Sequence, residues 1–375
     1  MSGPTCRACH GHAGHMVLDL GEQPACDSFP PYDEPGPDPV HPLQMWLCSS
    51  CGLAQLALDT TVPEEPRGTE PAALVAQAAE AVERVAGAGL LPEGVDVAEY
   101  GSPHGGSWLD LLARRGLHPV DDTEQADVVL DCFGLMHAAD QAAALGERAA
   151  RVADGGVLLL QYHSLDTILR LGQWNVLRHG HYAYYSTTAL GAMLAAVGFS
   201  PRMVWHFDLY GGTALLAAAR VTDGRPDPDG SVPQALAEDE RIGVRDPAVL
   251  SGPERRAAAH AQALHRWLVS ERRAGNTVLG YGAASRAVAL LRRAAVDKAL
   301  LPGVVDASPA KQGRRMPGTD IPVVDPSRLA AQRPDAVLLL LADLLPEVRS
   351  AFPVVEDSGG RWVDVETLSP AAAGH

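Results

Sequence analysis

Basic residues are scarce in this chain: 30 Lys and Arg stand against 46 Asp and Glu, for a formal net charge of −16. Binding to a nucleic-acid backbone or an anionic membrane needs clustered cations, so neither partner is expected. A local basic pocket for a small anion remains compatible with the balance. No apolar run approaches the roughly 20 residues that cross a bilayer. The N-terminus, Met1-Ser2-Gly3-Pro4-Thr5-Cys6, lacks the basic patch and apolar core of a secretory signal, so the reducing cytoplasm is the expected location. What is present is a chain of 375 residues, 46% apolar and 20% charged. That length exceeds a usual single domain and predicts two or three domains, each with its own core.

Cysteine is sparse, yet Cys6-Arg7-Ala8-Cys9 and Cys48-Ser49-Ser50-Cys51 form two CxxC pairs. Thiolates at this spacing on tight turns point at one centre, and two pairs complete a closed four-thiolate zinc site of the structural kind. A redox pair or unliganded thiols are the alternatives. His10, His12 and His15 are further candidate ligands that a filled site does not need. The intervening Pro30 to Pro39 is too proline-rich for regular structure and reads as a loop stapled by the metal.

Residues 59–70, with Pro63 and Pro66, read as a first linker, followed by an amphipathic helix over 71–88. A strand over 95–100 runs into Gly101-Ser102-Pro103-His104-Gly105-Gly106-Ser107 and a helix over 108–115. Strand, glycine turn and helix suggest a mononucleotide-type crevice, although such a turn can also be purely structural. The next strand, 126–131, follows so soon after Asp122 that a whole parallel crossover, at least about ten residues and usually a helix, has no room. A helix over 138–152, a Gly155-Gly156 turn and a buried strand over 157–161 resume the alternation. A helix is predicted over 165–177, another over 188–197, and then an antiparallel hairpin of strands 203–209 and 213–219.

Between the last two helices lies Leu177-Arg178-His179-Gly180-His181-Tyr182-Ala183-Tyr184-Tyr185-Ser186, which gathers two histidines, a guanidinium and three phenols. A histidine is poised to take a proton near neutrality, and an adjacent arginine or tyrosine can hold an anion, which suits enolisation beside a carbonyl. The plainer alternative is a loop leading into a helix, with packed tyrosines and capping histidines. After a second linker at 222–230, a long helix over 253–275 precedes Thr277 to Arg286, a second strand, glycine turn and helix. Further strands fit 302–305, 321–323, 336–341 and 362–364, making a second α/β domain. Gly280 and Gly282 permit close approach of a phosphate, and Arg286 in the first helical turn could add positive charge. A solvated Arg286 on a tight turn is the alternative.

Two motif sets span nearly the whole length: Cys6 to Cys9, Leu18-Asp19-Leu20-Gly21-Glu22-Gln23-Pro24, Ser28-Phe29 and Cys48 to Leu56 at one end, and Gly280 to Arg286 and Asp306 to Val323 at the other. With these the chain resembles the sugar C-methyltransferases of antibiotic deoxysugar pathways, which methylate nucleotide-linked 4-keto sugars with S-adenosylmethionine. The resemblance implies an α/β protein with a zinc-binding module over 1–66, a shortened methyltransferase-like Rossmann domain over 67–221, and a C-terminal Rossmann-like domain over 222–375 that binds the nucleotide sugar. It implies Cys6, Cys9, Cys48 and Cys51 as zinc ligands, and Glu99, Gly101, Ser102 and Gly105 at the methyl donor. Gly282, Arg286, Tyr184 and Gly212 are the expected substrate contacts, with His181, His179, Arg178 and Tyr210 catalytic.

The middle departs from the family pattern. The donor turn E-x-G-S/C-N-D-G stands as Glu99 to Gly105 with His104 in the acidic position, and Arg67-Gly68-Thr69-Glu70 replaces a tyrosine-rich loop. Tyr-x-Glu-His becomes Arg178-His179-Gly180-His181, and His-Gly-Gly-Ser becomes Tyr210-Gly211-Gly212-Thr213, so His181 is the surviving base. Three outcomes are open. His181 enolises the sugar, Arg178 or Tyr210 stabilises the enolate, and a methyl group is accepted; or the enolate is reprotonated or eliminated without a donor; or the chain is a non-catalytic sugar-nucleotide binder.

Overall fold

The computed structural model describes residues 3–34, 36–61, 72–101, 105–121, 124–221 and 228–368. Arg67 to Glu70, Ser102 to His104, Asp122 and most of both expected linkers lie outside the described residues.

The N-terminal part is more regular than a metal-stapled loop. Strands β1 (Gly14–Pro24) and β2 (Val40–Cys48) pair antiparallel on either side of the proline-rich segment, and β3 (Ala54–Leu56) pairs with β2. The sheet forms because Val17, Leu18 and Leu20 on β1 and Leu43, Met45 and Leu47 on β2 have a core to enter. That core is shared: it also contains Leu264, Leu268, Ala287 and Leu291 of the C-terminal part.

The central part begins with α1 (Ala72–Gly87), then β4 (Asp96–Tyr100), α2 (Leu109–Arg114), β5 (His118–Pro119), β6 (Ala126–Cys132), α3 (Gln141–Arg151) and β7 (Val152–His163). After α4 (Leu165–Leu171) come β8 (Ala183–Tyr184), α5 (Thr187–Ala196), β9 (Phe199–Phe207) and β10 (Thr213–Arg220). The sheet order is β5-β4-β6-β7-β10-β9, parallel as far as β7 and closed by the antiparallel hairpin. Residues 120–125 alone join β5 to β6, as the short interval requires, so the sheet ends in a strand of two residues. The helix expected over 165–177 is shorter, because Gly172 takes the left-handed conformation (φ 62) and closes α4. A single 3-10 turn, Trp174–Val176, then leads to the His179/His181 loop.

The C-terminal part opens with two helices that the sequence reading passed over, α6 (Ser231–Ile242) and α7 (Pro247–Leu250), followed by the long α8 (Gly252–Arg273). Its sheet consists of β11 (Val278–Tyr281), β12 (Val304–Val305), β13 (Val323–Val324), β14 (Ala336–Leu339) and β15 (Arg361–Asp364), all parallel in the order β13-β12-β11-β14-β15. Helix α9 (Ser285–Arg293) follows β11 across the glycine turn, and α10 (Ser327–Gln332), α11 (Leu345–Ala351) and α12 (Val354–Asp357) complete the domain. Ligands of open α/β sheets collect beyond the carboxyl ends of the strands. His163, the last residue of β7, and Arg286, beyond the end of β11, share one electrostatic neighbourhood, which places the region of interest at the junction of the two sheets.

Candidate functional site

The four cysteines meet. Cys6 and Cys51 sulfurs are 3.5 Å apart, those of Cys9 and Cys48 3.6 Å, and all four ligand atoms lie within 4.8 Å of one another. Sulfurs bonded at ~2.3 Å around a tetrahedral zinc stand ~3.8 Å apart, so the set fits that ion closely. It is the one such cluster among the described residues, and it includes no histidine.

This knuckle also builds the histidine loop. Arg7 follows Cys6, donates from Nη1 to the Ala139 carbonyl at 2.9 Å, and lies over the Tyr182 ring at 4.6 Å. Strand β3, just beyond Cys51, pairs with β8, and Leu56 N donates to Tyr182 O at 3.1 Å. From the other side Tyr182 N donates to Met136 O at 2.7 Å, in the turn after β6. The loop is thereby fixed beyond the carboxyl end of β6, with zinc module and central sheet each holding one edge.

Within the loop the two histidines face different surroundings. The His181 ring stands edge-on to His137, centroids 4.6 Å apart, and Arg178 donates from Nε to His181 Nε2 at 2.8 Å. His137 Nδ1 and the Gly180 carbonyl are 3.1 Å apart, so His137 braces both the loop backbone and the His181 ring. Sequence reasoning missed His137: it is a lone histidine 44 positions before His181 (181 − 137), and only the fold joins them. His179 turns away toward Pro42 O and the His41 ring, and burial pushes its pKa down. Tyr184, expected at the substrate, is 1% exposed. Its phenol accepts from Arg178 N and donates to Val176 O, which commits it to the fold.

Arg178 lies in the field of Arg286, which begins α9 in the other sheet, and of His163 at the end of β7. Burial first, then Arg286 and Arg178, hold the His163 pKa down at about 3, so His163 is neutral and Nε2 to Gln173 Oε1 is 2.9 Å. Arg286 has its pKa lowered by burial, with Glu366 opposing and Arg178 reinforcing the shift. Among the described residues Arg286 makes no ion pair. The α9 N-terminus itself is less available than the glycine turn suggests, because Ser285 Oγ donates there to Asp27. Gly282 (φ 88) leaves only ordinary contact with Leu341. Tyr210 (φ 56) joins this neighbourhood through its charge interaction with Arg286, its ring edge-on to Phe133 at 6.4 Å. Gly212 (φ 143) sits where a Cβ would come within 2.4 Å of Thr167, so its bare backbone is required by packing.

At the expected donor turn, Glu99 accepts from Ser107 Oγ at 2.5 Å and from Trp108 N at 2.6 Å, and so caps the start of α2. Its pKa is raised by burial, against those two hydrogen bonds. Gly101 has nothing within 4 Å of a Cβ position, Gly105 and Gly106 take positive φ (91 and 96), and a Cβ on Gly106 would come within 3.3 Å of Leu74. Gly101 follows the carboxyl end of β4, where the sequence pattern leads the methyl donor to be expected. Arg148 of α3 pairs with buried Asp131 of β6 at 2.5 Å and lies over the Tyr100 ring at 4.2 Å.

Three family models match the chain end to end: "Putative zinc binding domain" over residues 6–65, "Methyltransferase domain" over 71–203, and "C-methyltransferase C-terminal domain" over 208–365. The C-methyltransferase NovU of Streptomyces niveus is 28% identical over 236 residues, 62% of this chain and 54% of that protein. The match thus spans about half the length of this curated relative. Among solved structures, magnesium protoporphyrin IX methyltransferase from Synechocystis PCC 6803 is 12% identical with a TM-score of 0.30, covering 40% of this chain and 84% of that one. An O-methyltransferase family protein from Burkholderia thailandensis is 15% identical with a TM-score of 0.29, covering 40% and 58%.

Proposed function

The chain belongs to the sugar C-methyltransferase family, and on that premise we propose that it C-methylates a nucleotide-linked keto-deoxysugar at the junction of its two parallel sheets. The observation that supports this most is the placement of His181: its ring lies against His137 in the turn beyond β6, while Arg178 beside it shares a charge field with Arg286 of the other domain.

In this reading the diphosphate lies between Arg286 and Arg178, two guanidiniums that otherwise repel, and the sugar reaches His181. Neutral His181 takes the proton from the carbon next to the keto group, and the electron pair moves to the carbonyl oxygen. Tyr210 or Arg178 stabilises that oxyanion. His137 keeps the loop and the ring in place. S-adenosylmethionine, when bound, supplies an electrophilic methyl group. The backbone of Gly101 and Gly105 would face it, with Glu99 holding the turn from behind. Incubation with S-adenosylmethionine and a thymidine-diphospho-4-keto-6-deoxysugar tests the reading by mass spectrometry. A product heavier by one methylene is expected. Unchanged substrate in the presence of both, with sugar-nucleotide binding intact, would count against it.

A second reading, in which the enolate is reprotonated and no donor is needed, is favoured by one observation. The connection between β5 and β6 spans only residues 120–125, too few for the helix and strand on which the far end of a donor would rest, and Arg151 holds its described ends to α3 through Asp121 O at 2.8 Å and Glu124 O at 3.2 Å. An isomer of the sugar formed without S-adenosylmethionine would establish this outcome.

A further inference from the structure

We propose that Asp59, carried by the zinc module, is a positioning residue for His181: it supplies, from another part of the chain, a carboxylate at the place where the family pattern carries one in the loop itself. The inference rests on the reading of His181 as the base. It starts from the point at which the loop is freest to swivel. Gly180 lies between the two histidines with φ 79, in the left-handed region, and among the described residues nothing stands within 4 Å of where its Cβ would be. Glycine alone takes that conformation readily, and neither a side chain nor packing at that spot restrains its two dihedrals. The glutamate of the family pattern would be strained there.

Hydrogen bonds provide the restraint instead. On one side of the Gly180 Cα its N–H donates to Asp59 Oδ2 at 2.7 Å, and on the other its carbonyl accepts from His137 Nδ1 at 3.1 Å. With both flanking peptide planes held, φ and ψ of Gly180 are set, and with them the direction in which His181 leaves the backbone. The His181 ring then meets the His137 ring edge-on, centroids 4.6 Å apart. Asp59 is itself held for this task. Its Oδ1 accepts from Thr61 N at 2.9 Å and from Thr61 Oγ1 at 2.6 Å, which leaves Oδ2 for the loop. The neighbouring Thr60 Oγ1 lies 2.7 Å from His41 Nδ1, on β2. A backbone N–H held by a carboxylate makes a charge-assisted bond, stronger than one to a neutral acceptor. Glycine at 180 permits the turn, and Asp59 with His137 restores its rigidity.

The test compares Asp59→Ala with Asp59→Asn in the full-length zinc-loaded protein. Deuterium uptake beside the carbonyl of a thymidine-diphospho-4-keto-6-deoxysugar in heavy water is followed by NMR over a range of sugar-nucleotide concentrations. Asp59→Ala is expected to lower the maximal rate by roughly tenfold to a hundredfold, the loss that follows when a reacting group is displaced by about 1 Å, with half-saturation within about twofold of wild type. Asp59→Asn keeps an oxygen for the Gly180 N–H and is expected to stay within about threefold of the wild-type maximal rate. Both variants should keep wild-type zinc content, which a general collapse of the module would not allow. Amide hydrogen exchange over residues 179–182 reads the loop without any chemistry: it should quicken in Asp59→Ala and stay near wild type in Asp59→Asn. An Asp59→Ala maximal rate equal to wild type, or an Asp59→Asn rate as low as that of Asp59→Ala, overturns the proposal. If wild type itself takes up no deuterium beside the carbonyl, it is the assignment of His181 as base that falls; the amide exchange then decides for Asp59, and equal protection of 179–182 in wild type and Asp59→Ala overturns its hold on the loop.

Discussion

Replacement of Arg148 by alanine isolates the ion pair between α3 and β6. Asp131 is 1% exposed, and its carboxylate is held by Arg148 Nε at 2.5 Å and Leu135 N at 2.9 Å. Burial raises the Asp131 pKa, and Arg148 is the largest opposing influence. Removing one member of such a pair typically costs about 3–5 kcal/mol, because the other charge stays buried without compensation. Loss of the guanidinium over Tyr100 adds about 0.5–1 kcal/mol. Without Arg148 the folded-state pKa of Asp131 rises further above its unfolded value. The folded state then binds the proton more tightly, so the variant becomes progressively less stable, relative to wild type, as pH rises from 5 to 8. Arg148→Met combined with Asp131→Asn removes both charges while the amide oxygen still accepts from Leu135 N. It should recover at least half of the loss. Urea unfolding of the three proteins at pH 5 and pH 8, followed by far-ultraviolet circular dichroism, provides the assay. A loss below about 1 kcal/mol for Arg148→Ala at pH 8, or an equal loss in the double variant, would refute the reasoning.

Three further outcomes follow from other parts of the molecule. Cys48→Ser/Cys51→Ser should bind less than about a tenth of an equivalent of zinc by elemental analysis, and should show faster amide exchange in 54–56 and 182–184, because β3 holds β8 through the knuckle. Asp239, whose pKa burial lifts to about 6, makes the folded state bind a proton more tightly than the unfolded chain, so its contribution falls as pH rises from about 4 to 6. Asp239→Asn keeps an acceptor for Thr188 N and Oγ1, and its stability relative to wild type should rise by about 2 kcal/mol between pH 4.5 and 7.5, read by urea unfolding. Arg286→Ala should weaken thymidine diphosphate binding by about tenfold or more in calorimetry, and an unchanged dissociation constant would remove it from the anion site.

Much of the fold could be read from the sequence because strand, turn and helix alternate cleanly from Asp96 onward and again from Val278. The CxxC pairs likewise carry their chemistry in their spacing. The β1/β2 pair was harder to see, since shifts between Met16 and Leu18 and between Asp19 and Glu22 break the two-residue period. Helix α6 hides next to a Pro-rich linker, its buried stripe being only Val232, Ala235 and Asp239. At the candidate site, the loop residues offered two histidines, and the family pattern alone singled out His181 as the base. Their difference arises from partners distant in the chain, His137 for one and Pro42 and His41 for the other. Tyr184 drew attention as a phenol in a polar cluster, yet its hydroxyl is consumed by backbone groups that only the folded turn brings near.

The central claim, that His181 takes a proton from a carbon beside a sugar carbonyl, is tested most directly by solvent exchange. A thymidine-diphospho-4-keto-6-deoxysugar is incubated in heavy water with wild type, His181→Ala and His179→Ala, without a methyl donor, and deuterium beside the carbonyl is measured by NMR. Wild type and His179→Ala should accelerate incorporation, and His181→Ala should abolish the acceleration while still binding the sugar nucleotide. Exchange by His181→Ala as fast as wild type would contradict the account.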